Sequence, residues 1–369
     1  MLSSRDLLNA MLHHSPFDRV GIYDHGPWFE TYQRWIKEGY PTQTAENGQQ
    51  VPVNYAEHFR YDMFLAYGWF DQMPLRGCRE VVAEDAESIT TRSGAGATVR
   101  NWKHQSSTPE YVDFRMTSRE IWEREYRPHL LRIDRERIAI AGAKKELERR
   151  RKQGFWTFFG HQFLWENMRC SMGNYVMLQS LLLDPEWIHD YNRVYTDFYK
   201  AHFKILIEEA GRPDGAYIYE DLGYRNGLMC SPKVLGELIF PYYRELVDFL
   251  HSYGLPVFLH TDGRIDQAIP LIIEAGFDGL NPLEIKVGCD PFLFAEQYGD
   301  KLVLSGGLDG RLLDCGDRAL LKKEIVRLIE GMKARGGRFL FGVDHSIPPS
   351  VSYADFQYIV QVYRDHMTI

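Results

Sequence analysis

The second half of the chain alternates short apolar runs with longer amphipathic ones. "GAYIYEDLG" (215–223), "LPVFLHTDG" (255–263), "FDGLNPLE" (277–284), "KLVLSGGLD" (301–309) and "RFLFGVDHSIPP" (338–349) are rich in β-branched and aromatic residues and end at turn residues, so they predict strands. Between them lie helical patterns. "SPKVLGELIFPYYRELVDFLHSYG" (231–254) opens with Ser231 as cap and Pro232 at the first helical position, and closes on Gly254. "RIDQAIPLIIEAG", "DPFLFAEQYGD" and "DRALLKKEIVRLIEGMKARGG" are the next helices. "DRVGIYDHG" (18–26) and "FWTFFGHQF" (155–163) extend the strand series toward the N-terminus. Strands separated by crossover helices mean βαβ units and a parallel sheet. Without a nucleotide fingerprint, the run favours an α/β fold closed as a (β/α)8 TIM-type barrel.

Two stretches depart from this rhythm. "MLSSRDLLNAMLHH" reads as a short amphipathic helix, not a signal peptide, because it has no basic n-region, long apolar core or cleavage site. Residues 80–118 alternate around Gly94 and Gly96 and predict an antiparallel hairpin excursion folded over one mouth of the barrel. The tract 130–154 mixes both charge signs at helical spacing, with its basic residues toward the C-terminal end, and predicts a solvated helix. No repeat or linker divides the chain, so residues 1–369 are read as one domain.

Composition narrows the function classes. The 369 residues are 44% hydrophobic and 25% charged, and no apolar run approaches the roughly 20 residues of a membrane helix. A net charge of −8 argues against a nucleic-acid partner. Five scattered cysteines, Cys78, Cys170, Cys230, Cys289 and Cys315, fit reduced thiols and a cytoplasmic protein. P-loop, G-x-G-x-x-G, H-E-x-x-H and G-x-S-x-G motifs are absent, and the Gly-rich "SGAGATVR" is a hairpin turn.

In a barrel of this type, chemistry gathers at the C-terminal ends of the strands. Those ends carry Asp24 and His25, His161, Glu220 and Asp221, His260 and Asp262, Asn281 and Glu284, Asp309, and Asp344 and His345. Taken singly, Asp221 or Asp309 is a helix cap and a lone histidine a hydrogen-bonded structural residue. Together they fit a metal or acid–base site. His260 and Asp262 both face inward only if the chain stays extended through Thr261. Imidazole and carboxylate ligands suit Zn²⁺, and an open fourth position makes such a site catalytic.

At "FLHTDGRIDQAIPLIIEAGFDGLNPLE", "YGDKLVLSGGLDGRLLDCG" and "GGRFLFGVDHSIPPSVSYADF" the chain resembles the uroporphyrinogen decarboxylase superfamily. The likeness is strongest over 215–365 and traceable to "PFDRVGIYDHGPW". True uroporphyrinogen decarboxylases carry an arginine-rich N-terminal segment that clamps the substrate's carboxylates. The matching stretch here, "DHGPWFETYQRW", has one arginine, Arg34, and supplies Asp24, His25 and Glu30. That departure points to the zinc-dependent, corrinoid-linked methyltransferases, whose ligands follow a His-x-Cys pair and a Cys after the last strand. Those positions fall on His260, Asp262 and His345, so carboxylate and imidazole replace both thiolates.

The resemblance thus implies a metal set of His260, Asp262 and His345, with Glu284 or Glu220 as a fourth ligand or the proton donor. It implies that a methyl group passes from a small methylated, methoxy-aromatic type of substrate to cobalamin on a separate corrinoid protein. Asp24, His25, Glu220 and Asp344 are the candidate catalytic groups; Trp28, Phe29, His161, Asp221 and Asn281 are candidates for contacting substrate. Trp69 and Trp165 are further aromatic candidates for stacking on a ring. The alternatives are a decarboxylase or lyase of a small acid using His345 and Asp24, or a non-enzymatic barrel that binds a tetrapyrrole or metal. The superfamily also makes a homodimer an expectation.

Overall fold

The computed structural model describes residues 1–45, 47–67, 70–105 and 108–369. Eight parallel strands form the expected barrel: β1 (Gly21–Ile22), β2 (Met63–Tyr67), β3 (Trp156–Gln162), β4 (Gly215–Tyr219), β5 (Val257–His260), β6 (Gly279–Leu283), β7 (Val303–Leu308) and β8 (Phe339–Val343). From β2 to β8 each strand pairs with the next in sequence, and β1 pairs with β8 through Gly21 opposite Leu340. The sequence reading found seven of these strands. It passed over β2, "MFLAY", which lies between polar and aromatic residues without a following helical pattern.

The seam between β1 and β2 closes through one residue. The Asp62 backbone N–H donates to Ile22 O at 3.0 Å, and the Asp62 carboxylate accepts the Ile22 N–H at 2.8 Å. Arg19 grips the same carboxylate with both guanidinium nitrogens, at 2.8 and 2.6 Å, and both residues are buried. A side chain thus replaces a missing rung of the parallel ladder.

Alternation sorts the core into two compartments. Tyr23, Met63, Trp156, Phe158, Tyr217, Phe258, Val303 and Leu340 fill the barrel, and Leu7, Leu8 and Met11 of the N-terminal helix Ser4–Leu12 cover its base. Ser3 caps that helix by accepting the Asp6 N–H. Intervening residues such as Ile22, Leu259, Leu280 and Phe341 face the outer helices.

Three expectations change. The helix over 231–254 is two, Pro232–Leu238 and Phe240–Ser252, because Pro241 lacks an N–H and its ring crowds the preceding turn. The excursion is a four-stranded antiparallel sheet, Arg79–Glu84, Ser88–Ser93, Ala97–Trp102 and Glu110–Phe114, with the Gly94–Gly96 turn joining its middle strands. It packs on the helix Leu164–Leu183: the Tyr111 hydroxyl lies 3.0 Å from Cys170 Sγ, and the Phe114 ring occupies the space beside Gly173. The charged tract forms the helix Ile140–Lys152, but Arg150 is buried over the Phe64 ring at 3.6 Å instead of solvated. Among the described residues no helix is long and apolar enough to cross a membrane.

Replacing Asp62 by Ala leaves Arg19 buried without its partner and removes the seam bond to Ile22. The expected cost is about 3–5 kcal/mol of folding stability, read as a lower urea midpoint at unchanged slope.

Candidate functional site

β5 shows how the site is assembled. Val257 and Leu259 point to the helices, while Phe258 and His260 point into the barrel. The chain stays extended past His260. Thr261 N–H donates to Asn281 O at 2.8 Å, and its Oγ1 accepts the Leu222 N–H at 3.0 Å. Two residues after His260, Asp262 therefore returns to the same side. Gly263 then turns the chain at φ +92°, within 2.4 Å of Gly223 C if a Cβ were present, so only glycine fits.

Asn281 on β6 orients the histidines. Its Nδ2 donates to Ser305 Oγ at 3.0 Å, which fixes Oδ1 as an acceptor. That oxygen receives the Tyr217 hydroxyl at 2.5 Å and lies 3.0 Å from both His25 Nε2 and His260 Nδ1. The two imidazole nitrogens are themselves 3.0 Å apart. Placing the His260 proton on Nδ1 satisfies Asn281 and leaves a lone pair on Nε2. Burial, and then the neighbouring His260, push the His25 pKa down to about 3, so His25 is neutral.

His260 Nε2 faces two carboxylates, Asp221 Oδ1 and Asp262 Oδ1, each at 3.7 Å. Asp262 Oδ1 is buried and, among the described residues, has no hydrogen-bond partner. The other Asp262 oxygen lies 3.9 Å from His345 Nε2. Burial raises the Asp262 pKa, with the Asp221 charge adding to it against the pull of His260. Two overlapping trios result, Asp221–His260–Asp262 and Asp262–Glu284–His345, each with ligand atoms within 4.8 Å of one another.

Strand alternation turns Asp24, Glu220 and His161 outward, whereas Asp344 and Asp309 are engaged by the loops that follow the strands. Asp24 faces away from His25; its oxygens accept the Gly26 N–H at 2.8 Å and the Tyr61 hydroxyl at 2.9 Å. Glu220 faces the outer layer, accepting the Phe163 and Trp165 N–H groups at 2.6 Å each and the Tyr243 hydroxyl, at the start of the helix Leu164–Leu183. His161 is buried against Tyr199 and Phe203 of the helical layer. Asp344 ties two loops together through the Gly310 and Ile285 N–H groups. Asp309 caps the turn Gly310–Leu312 and holds Arg311.

Trp28 and Phe29 are exposed; Phe29 lines a separate groove with Trp102 and His104. Trp165 is fully buried, and Trp69 lies outside the described residues. The structure thus brings together His25, Asp221, His260, Asp262, Asn281, Glu284 and His345. Tyr217, Tyr219 and Ser305, which the sequence reading did not single out, stand at inward positions of their strands, and that parity would have found them. A cavity of about 450 Å³ opens on Asp262, Glu284 and His345, and Tyr224, Arg225 and Lys286 line it too.

The family model for uroporphyrinogen decarboxylase (URO-D) matches residues 166–366, more than half of the chain. The chain belongs to the uroporphyrinogen decarboxylase family. Among solved structures, this family member overlaps a methyltransferase from Methanosarcina mazei at a TM-score of 0.66 and 14% identity, covering 99% of each chain. At that identity the likeness establishes the shared fold. An Xaa-Pro dipeptidase with bound methionine in the active site overlaps at only 0.24, with 14% identity over 63% of this chain and 65% of its own, and carries no argument. Among curated proteins none matches.

Burial also depresses the His161 pKa to about 3, against 6.5 in the unfolded chain. The folded state then binds fewer protons between those values, so this contribution to stability is intact above pH 6.5 and is lost as pH falls toward 3. His161→Phe is expected to flatten the acid limb of stability by up to about 1.4 kcal/mol per pH unit, measured as urea midpoints from pH 7 to 4. An unchanged slope would show that His161 titrates normally.

Proposed function

We propose that this chain is a methyltransferase that takes a methyl group from a small methylated substrate, of the methoxy-aromatic class, and passes it to the cobalt of a separate corrinoid protein. A divalent metal, Zn²⁺ by the chemistry of its donors, would be held by His260 and Asp262 with Asp221, Glu284 and His345 as further ligands. The observation that carries this reading is the unpartnered, buried Asp262 Oδ1 facing the His260 lone pair. A separation of 3.7 Å is too long for a hydrogen bond. It is only a few tenths of an ångström wider than the roughly 3.3 Å between ligand atoms around a tetrahedral zinc. The Asn281 amide behind His260 is the outer partner that metal-binding histidines need. The full-length overlap with a methyltransferase supports the same reading.

When bound, the metal would supply Lewis acidity to the heteroatom that departs as the methyl group leaves. The protein's own residues do the rest. Asn281 fixes the imidazole tautomer, and the loop after β5 brings Asp262 to the rim of the cavity. Asp221 accepts the Asp262 N–H at 3.1 Å and braces that loop. The decarboxylase alternative relied on Asp24 paired with His345, and Asp24 faces away from the cavity with both oxygens engaged.

Zinc titration against a chelating dye tests the centre. His260→Ala and Asp262→Ala are expected to lose at least about a hundredfold in affinity, and Asn281→Leu about 10–100-fold. Mixing the metal-loaded protein with a reduced corrinoid protein and a panel of methoxyarenes should change the corrinoid's visible spectrum. A protein that binds no metal and releases CO₂ from a carboxylic acid would reverse the assignment.

A further inference from the structure

The two trios that share Asp262 are not equivalent. Among the described residues, Arg169 touches the Asp221–His260–Asp262 trio only at Asp221 Oδ2, 3.9 Å away, and Asp262 Oδ1 has no hydrogen-bond partner, so no cationic side chain bridges the ligand atoms of this trio. The Glu284–His345 side already contains one. Lys286 Nζ lies 3.1 Å from Glu284 Oε1 and 3.1 Å from His345 Nε2. His345 Nδ1 is held at 2.5 Å from its own Asp344 carbonyl, which commits the ring proton there and leaves the Nε2 lone pair facing the ammonium. An ammonium has three donors and no acceptor, so it uses the lone pair that a metal would need.

We propose that Lys286 is a tethered cation that occupies the Glu284–His345 half of the centre, and that a divalent ion must displace it to recruit those two ligands. The proposal rests on the metal reading above. The chain is built for such a displacement. Lys286 sits in the one-turn segment Ile285–Val287, and its side chain is 42% exposed, so its flexible stem reaches solvent readily. Glu284 does not follow it, because its other oxygen accepts the Gly263 N–H at 2.6 Å. Arg311 is no substitute, being held by both oxygens of Asp309. Lys286 therefore sets how tightly the metal is held and how many ligands it takes.

Dye-competition titration of zinc into the full-length protein tests this. Lys286→Met keeps the apolar stem and removes the charge; it is expected to tighten zinc binding by at least about tenfold, and adding Glu284→Gln should cancel most of the gain. Lys286→Gln serves if the first variant folds poorly. Arg225→Gln removes a charge from the same cavity without freeing either ligand, and should change affinity much less. Equal or weaker binding by both Lys286 variants overturns the proposal while leaving the metal centre standing. Equal tightening by Arg225→Gln also overturns it, because general charge would then explain the effect. Absence of zinc binding in the wild-type protein and in all variants would remove the metal reading itself.

Discussion

The side-chain amide of Asn281 is the fixed point of the barrel mouth at the C-terminal ends of the strands. It is fully buried on β6, so its oxygen and nitrogen must both find partners inside the protein. Ser305 on β7 takes the nitrogen, and Tyr217 on β4 approaches the oxygen. His260 on β5 and His25 after β1 lie against the same oxygen. One amide thereby couples five strand ends. Any slip in register would break several of these bonds at once, so the constraint that satisfies a buried amide also fixes the orientation of two imidazoles. The seam at Asp62 works on the same principle at the opposite end of β1, where a carboxylate completes the ladder and neutralises Arg19.

Much of the architecture was legible because barrel strands and helices obey different periods. The strands β3 to β8 stand out as apolar runs, and sequential strands lie side by side in the sheet. β2 escaped because its five residues merge into aromatic surroundings and lead into an antiparallel sheet rather than a helix. The split at Pro241 was written in the sequence and read as part of one amphipathic run. The candidate site was only half legible, for a reason of parity. Listing every polar residue at a strand end put Asp24, His161 and Glu220 beside His25, His260 and Asp262. Adjacent residues of a strand face opposite ways, so His25 and Asp24 cannot share a cavity while the strand remains extended. Counting from the inward Tyr23 or Phe258 separates the groups at once.

Parity also explains why the outward acids are there. Glu220 accepts three N–H groups at the start of the helix after β3, and burial still pushes its pKa up to about 8. Asp24 is raised to about 6 by the same desolvation. Raised carboxyl pKa values often mark catalytic acids, yet these two serve the wall of the barrel. Their donors come from the backbone and from tyrosines, and neither lies on the cavity lined by Asp262. Geometry thus outranks titration in deciding which acid belongs to the site.

Asp262 shows what a carboxylate at this position requires of the fold. A carboxylate carries its charge on two oxygens, and both must be placed. One is turned toward His345 and the other toward His260, while the backbone N–H goes to Asp221. The sharp turn at Gly263 lets the chain reverse directly after Asp262 and delivers the next N–H to Glu284. Asp262, two residues past the end of β5, is consequently the bridge between the two trios. A thiolate, with a single donor atom, would serve one half. Under the proposed reading, the harder oxygen donor leaves more of the metal's charge available to an oxygen leaving group. The histidine, the aspartate and the glycine turn of "HTDG" therefore act together, each position being useful because the next one holds it.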